Sequence, residues 1–251
     1  MELNLTNKNI IITGGANGLC YDIAKAYYDA GGNICIMDIA QNISDSAKSI
    51  EKDRSVKFHQ CDLSDIDNLD KEYSVVRDLC GGRIDVLFNG AGIQYREKAE
   101  DFPLSRWKKI MDININAIFA LSQLAGRDML INGFGRIINM ASMTSFFGSE
   151  MIPAYTASKG AVAQLTKALS NEWASRGVHV NAIAPGYMTT KLTADMKDKN
   201  PEQYREITSR IPMKRWGTGQ DLCGLAVFLA SDAADYISGA VIPVDGGYLG
   251  K

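Results

Sequence analysis

Short runs of branched aliphatic residues recur along this chain, separated by longer stretches whose apolar positions repeat at helical spacing. The first run, Asn9-Ile10-Ile11-Ile12-Thr13, leads into a glycine-rich turn and a helix predicted over residues 18–30. Residues 33–38 predict a second strand, 56–61 a third, 84–89 a fourth and 136–141 a fifth, with 178–184 and 240–244 completing the set. Strands that are apolar at nearly every position are buried on both faces, and when helices separate them they form a parallel sheet covered on both sides. The predicted fold class is therefore α/β: a single doubly wound parallel sheet of about seven strands with helices on both faces. No repeat, low-complexity segment or Pro/Gly/Ser-rich linker divides the chain, so residues 1–251 are expected to form one domain. Residues 187–215 break the rhythm, being polar, carrying Pro201 and Pro212, and long for a connection. A loop of that size is expected to act as a lid with short helices of its own.

Composition narrows the class without naming it. Of 251 residues 46% are hydrophobic, and the formal net charge is −2, which gives no electrostatic reason to expect nucleic acid or an anionic membrane as partner. No apolar run is long enough to cross a bilayer, and residues 1–9 lack the basic-then-apolar pattern of an export signal, so a cytoplasmic protein is expected. The five cysteines are odd in number, widely spaced and without a Cys-x-x-Cys pair, which fits reduced thiols better than a disulfide scaffold. With only His59 and His179, and neither near a second ligand in sequence, no metal is expected.

Right-handed crossovers bring every strand's C-terminal end to one edge of such a sheet, the edge where doubly wound folds bind ligands. The polar motifs of this sequence fall just beyond those ends. In Thr13-Gly14-Gly15-Ala16-Asn17-Gly18-Leu19, glycines let the backbone approach a pyrophosphate, and the following helix offers unpaired N–H groups to it. Taken alone the turn is a weak signal, since any tight strand-to-helix turn looks similar. Asp38 strengthens it by ending the second strand, where a carboxylate accepts hydrogen bonds from an adenosine ribose and repels a 2′-phosphate. With no cation at Asn17 or Ile39 to hold that phosphate, NAD(H) is expected over NADP(H). Asp62 and Leu63 are candidates for the adenine, Asp62 having a helix cap as its plainer reading. Asn89, Gly90, Ala91 and Gly92 form a small-residue turn that either admits the nucleotide or only reverses the chain.

A second group of motifs carries the reaction chemistry. Tyr155 and Lys159 lie four apart in a helix predicted over residues 153–175 and so share a face. A phenol is a poor proton shuttle at neutral pH, and a nearby ammonium is expected to favour the phenolate and bring it into range. Ser142, just past the fifth strand, can steady charge on a substrate oxygen, and Asn114 is a candidate to hold a water relaying protons to the lysine. Each has an ordinary alternative as a surface pair, a cap or a packing contact; their order and spacing relative to the strands make a joint coincidence small.

Taken together these motifs resemble the classical short-chain dehydrogenase/reductase family over essentially the whole chain. The matching segments are Thr13-Gly14-x-x-x-Gly18, Asp62-Leu63, Asn89-x-Ala91-Gly92, Asn114, Ser142, Tyr155-x-x-x-Lys159, Asn181-x-x-x-Pro185-Gly186 and Val244-Asp245-Gly246-Gly247. The resemblance implies a Rossmann-type domain and catalytic Asn114, Ser142, Tyr155 and Lys159, with Lys159 also gripping the nicotinamide ribose. It implies that Pro185, Gly186, Met188 and Thr190 flank the nicotinamide and its phosphates, and that four copies associate through the Tyr155 helix and the last strand. Two positions depart from the pattern. Cys20 stands where a third glycine is usual, which is expected to weaken cofactor binding or displace the helix, and Gly90 stands where a second asparagine is usual, which is expected to loosen a hydrogen-bond anchor.

Further segments, including Ala141-Ser142-Met143-x-Ser145-Phe146, Asn171-Glu172-Trp173-Ala174 and Arg215-Trp216-Gly217, look like the ketogluconate (2-dehydro-3-deoxy-D-gluconate) dehydrogenases of that family. An acidic sugar substrate needs a cation, and Arg96, after the fourth strand, is the candidate to pair with its carboxylate. The rival readings are a 3-oxoacyl-carrier-protein reductase, which Asp38 disfavours, a gluconate 5-dehydrogenase, and a nucleotide-binding protein without catalysis, which an intact Asn114, Ser142, Tyr155 and Lys159 set disfavours.

Overall fold

The computed structural model describes residues 3–41, 56–190, 193 and 196–250. Seven strands form a single parallel sheet in the order β3-β2-β1-β4-β5-β6-β7. They are β1 (Asn9–Thr13), β2 (Asn33–Asp38), β3 (Val56–Gln60), β4 (Val86–Asn89), β5 (Gly135–Met140), β6 (Val178–Pro185) and β7 (Val241–Val244). The order runs outward in both directions from the β1/β4 pair, so the connections leave that junction on opposite faces, and a crevice opens there at the carboxyl edge.

The strands alternate their side chains between two apolar layers. From β1, Ile10 and Ile12 face helices α1 (Gly18–Asp29) and α8 (Gly219–Ala230), where Ile23, Tyr27, Leu222 and Ala226 meet them. Ile11, with Cys35 and Met37 of β2, faces the opposite layer. That layer draws on α2 (Leu69–Leu79), α4 (Ala117–Asn132) and α5 (Pro153–Trp173). Burial on both faces is why inner strands such as β1, β2 and β4 are continuously apolar rather than alternating, whereas the edge strands β3 and β7 are partly exposed.

The fourth strand begins at Val86, two residues later than the hydrophobic run, and just before it the Asp85 carboxylate accepts hydrogen bonds from the Asn9 N–H and the Arg83 guanidinium. A short helix, α3 (Leu104–Met111), precedes α4, and between them residues 112–116 form one π-helical turn. The 187–215 stretch holds two helices, α6 (Met196–Lys199) and α7 (Pro201–Arg210). No helix among the described residues is long and apolar enough to cross a membrane.

Candidate active site

The glycine turn sits at the crevice because its backbone adopts angles that a side chain disfavours. Gly14 (φ +72°) and Gly18 (φ +64°) both lie in the left-handed region. A Cβ on Gly14 would stand 2.9 Å from the Ala91 Cα, so only glycine lets the end of β1 approach the end of β4 this closely. At the start of α1, Asn17 makes no side-chain cap bond, and the first turn carries no acidic residue. The N–H groups and positive dipole end are thus left for an anion. Asp38 is nearly buried: one carboxylate oxygen accepts the Ala16 N–H and the other the Ala40 N–H, both at 3.0 Å. Sequence reasoning assigns Asp38 only to the ribose; the fold shows that it also holds the glycine turn in shape.

A cavity of about 320 Å³ runs from Asp38, Asp62 and Leu63 past Gly14 and Asn17 to Ala91 and Gly92. It meets a second of about 900 Å³ at Gly90, Gly92 and Ile93, and the second continues past Leu19 to Tyr155, Lys159, Arg96 and Thr190. One continuous cleft therefore joins most of the predicted residues. Asp62 does not cap a helix; its Oδ1 accepts the Ser64 N–H and hydroxyl, which with the charge of Lys109 holds its carboxyl below the usual range.

Several expected contact residues lie beneath the cleft instead of in its wall. The Thr13 side-chain oxygen accepts the N–H groups of Gly90 and Ala91 at 3.0 and 3.1 Å, strapping β4 to β1. The local anchor is thus kept by backbone despite the missing asparagine at position 90. Asn89 is fully buried, and its side-chain amide donates to Ser122 Oγ and Asn139 Oδ1. Asn114 sits in the π-helical turn with no exposure, its Oδ1 accepting the Ile93 N–H and its amide donating to the Ile93 carbonyl and Ser158 Oγ. Both amide hydrogens are thus committed within the protein, and the side chain joins the β4 loop to α5. Pro185 ends β6 in the core, Gly186 abuts Asp245, and Met188 packs on Gly217 with its side chain toward a separate pocket, so of this group only Thr190 lines the main cleft.

Tyr155 is brought to the cleft by Pro153 at the first turn of α5 and by the Ser158 hydroxyl, which donates to the Tyr155 carbonyl at 2.7 Å. Ser142 hydrogen-bonds the Tyr155 hydroxyl and accepts the Thr144 N–H at 3.2 Å. Lys159 is 2% exposed; its ammonium donates to the Met140 carbonyl at 2.5 Å and lies 5.7 Å from the Tyr155 ring centroid. Burial lowers the lysine from 10.5 to about 8. The phenol does not move as expected from its neighbour. Burial raises it and Ser142 only partly counters, because the ammonium is turned to a backbone oxygen and both groups have lost water.

The Arg96 loop is fixed to the same helix region by a backbone bond from the Glu97 N–H to the Met151 carbonyl at 2.8 Å. Arg96 is exposed at the cleft mouth, and together with Arg210 its charge acts on the Tyr187 hydroxyl. Sequence reasoning missed Ile93 and Lys109 in the cofactor-side wall, Gln94 in the loop after β4, and Met196, Lys199 and Gln203 on the lid side. Ile93 and Gln94 were legible as the continuation of the small-residue turn; the others face the cleft only through the folding of short helices that carry no motif.

A family model described as enoyl-(acyl carrier protein) reductase matches residues 14–249. The chain belongs to the short-chain dehydrogenase/reductase family. It is similar to the 2-dehydro-3-deoxy-D-gluconate 5-dehydrogenase of Bacillus subtilis (strain 168), with 43% identity over 99% of this chain and 97% of that protein. It is 41% identical to the protein of the same name from Dickeya dadantii (strain 3937), over 99% and 98% of the two chains. Among solved structures, the gluconate 5-dehydrogenase of Burkholderia cenocepacia J2315, in complex with NADP and tartrate, superposes with a TM-score of 0.92. That match has 31% identity and covers 100% of this chain and 98% of the other. As a short-chain dehydrogenase/reductase this protein is an oxidoreductase that uses a nicotinamide dinucleotide. Its cleft fits such a cofactor: the open helix end, the glycine turn and the continuity of the two cavities supply a phosphate site with room on either side.

Proposed function

We propose that this protein is an NAD-dependent dehydrogenase of a sugar acid of the 2-dehydro-3-deoxy-D-gluconate type. The observation that carries the chemistry is the convergence of Tyr155 and Lys159 on one cavity, with Ser142 hydrogen-bonded to the tyrosine. When bound, the reduced nicotinamide supplies a hydride to the ketone carbon. Tyr155 donates its proton to the oxygen as negative charge develops there, and the Ser142 hydroxyl shares that charge. The raised phenol keeps its proton at neutral pH, which suits it as the acid in the reductive direction. Lys159 places a buried positive charge beside the tyrosinate that forms, while its bond to Met140 fixes where that charge sits.

The substrate class rests on the full-length similarity to two enzymes of that name and on Arg96 at the cleft mouth, where a guanidinium can pair with a carboxylate. NAD is favoured by Asp38, whose two backbone bonds fix a carboxylate at the cofactor end of the cleft. Among the described residues lining that cavity, the one cation is Lys109, which acts on Asp62 instead. A homotetramer is supported by β7, a half-buried strand at the sheet edge. The α6–α7 segment, which lines the same cavity as Arg96, serves as the lid. The deciding experiment is a screen of ketogluconates and simple ketones with NADH and with NADPH, followed at the nicotinamide absorbance. Turnover of a ketogluconate with NADH is expected, with a raised KM in Arg96→Ala. A clear preference for NADPH would overturn the Asp38 argument, and an unchanged KM in Arg96→Ala would remove that residue from recognition.

A further inference from the structure

The two positions that break the family pattern, far apart in sequence, touch in the folded chain. Cys20 is the third residue of α1, 7% exposed, and its sulfur stands 3.4 Å from the Gly90 carbonyl oxygen. A Cβ built on Gly90 would lie 2.5 Å from that sulfur, closer than non-bonded atoms can stand. The Gly90 backbone does not itself require glycine, since its φ lies outside the left-handed region that Gly14 and Gly18 occupy. Its missing side chain is a matter of space, and the nearest occupant of that space is the Cys20 thiol. The remaining close neighbours, the Thr13 carbonyl oxygen at 2.8 Å and Phe88 Cε1 at 2.9 Å, belong to the strands themselves. The contact also falls at a sensitive place. Gly90 lines both cavities where they join, and Cys20 lines the larger one together with Lys159.

We propose that Cys20 and Gly90 form one positioning unit, in which the thiol fills the volume that a side chain at position 90 would need. The unit thereby sets the gap between the phosphate-binding end of α1 and the end of β4, across which the dinucleotide lies. It explains how a cysteine is tolerated where helix and strand approach closely: the bulk added on the helix is removed from the strand. Bulk added at either position misplaces the gap, and bulk added at position 90 is offset in part by removing the thiol at position 20. The proposal rests on the reading of this cleft as a dinucleotide site.

A double-mutant cycle tests it, with NADH affinity measured by fluorescence titration and stability by thermal melting of the full chain. Gly90→Ala should raise the NADH Kd about tenfold, and adding Cys20→Gly should recover about threefold of that loss, the Thr13 and Phe88 contacts remaining, as contacting positions couple while independent ones add. The KM for cofactor should rise more than kcat falls, because the groups at the reacting carbon are not displaced. Should Gly90→Ala alone fail to fold, recovery of folded, NADH-binding protein in the double variant carries the same meaning. Cys20→Leu presses on residue 90 from the other side and should weaken binding as Gly90→Ala does, whereas Cys20→Ser, close in volume, should not. Penalties that simply add, or a Cys20→Leu variant that binds as wild type, would overturn the unit. A wild-type chain that bound neither NADH nor NADPH would instead overturn the cofactor reading, leaving the melting coupling to decide the packing claim.

Discussion

Lys159 is a buried cation kept for chemistry, so replacing it should make the protein more stable and inactive at once. Its fall from 10.5 to about 8 on folding corresponds to a cost of about 3 kcal/mol for the charged form at neutral pH, at about 1.4 kcal/mol per pH unit. Methionine has similar length and no charge to desolvate, but it leaves the Met140 carbonyl without its donor, a loss of about 1–2 kcal/mol. Lys159→Met is therefore expected to gain about 1–2 kcal/mol at pH 7, which in a chain of this size raises Tm by roughly 2–8 °C. The pH dependence gives the claim its edge. The unfolded lysine keeps its proton to about 10.5 and the folded one releases it near 8, so in that window the unfolded state binds more protons and wild-type stability rises with pH. Below pH 8 wild type carries the full cost, and above 10.5 it carries none. Melting both proteins without cofactor from pH 6 to 10, at equal concentration, should show the methionine variant ahead at pH 6–7 and its lead shrinking above pH 8. A wild type at least as stable at pH 7, or a gap that stays constant across the range, would refute the reasoning.

Three further outcomes follow from the same geometry. Tyr155→Phe removes the proton donor while keeping the ring, so kcat should fall by about 10²–10⁴-fold with NADH affinity, read by fluorescence titration, little changed. Asn114→Ala deletes three hydrogen bonds in a fully buried site, at about 1 kcal/mol each or more where a partner is left unpaired. The variant should melt well below wild type. In the reductive direction kcat/KM should hold level below pH 8 and decline above it as Lys159 loses its proton near 8, a profile measurable with saturating NADH. The reverse slope would place the titrating group elsewhere.

Much of this molecule is written locally. Continuous apolar runs determine inner strands such as β1, β2 and β4 because a strand buried on both faces has no polar positions to spare, and the spacing Tyr155-x-x-x-Lys159 determines a shared helix face whatever surrounds it. Glycine at 14 is legible too, since the turn's backbone angle disfavours any side chain. What the sequence could not decide is where polar atoms spend their hydrogen bonds. Thr13, Asn89 and Asn114 carry motif signatures, yet the fold turns them inward to strap strands and helices, because buried polar groups must find partners among whichever neighbours the topology supplies. The Tyr155 phenol rises instead of falling for the same kind of reason: desolvation is a property of the assembled site, and no spacing along the chain encodes it. Likewise Cys20 and Gly90, seventy residues apart, read singly as two defects, and only packing α1 against the end of β4 makes them one fitted contact.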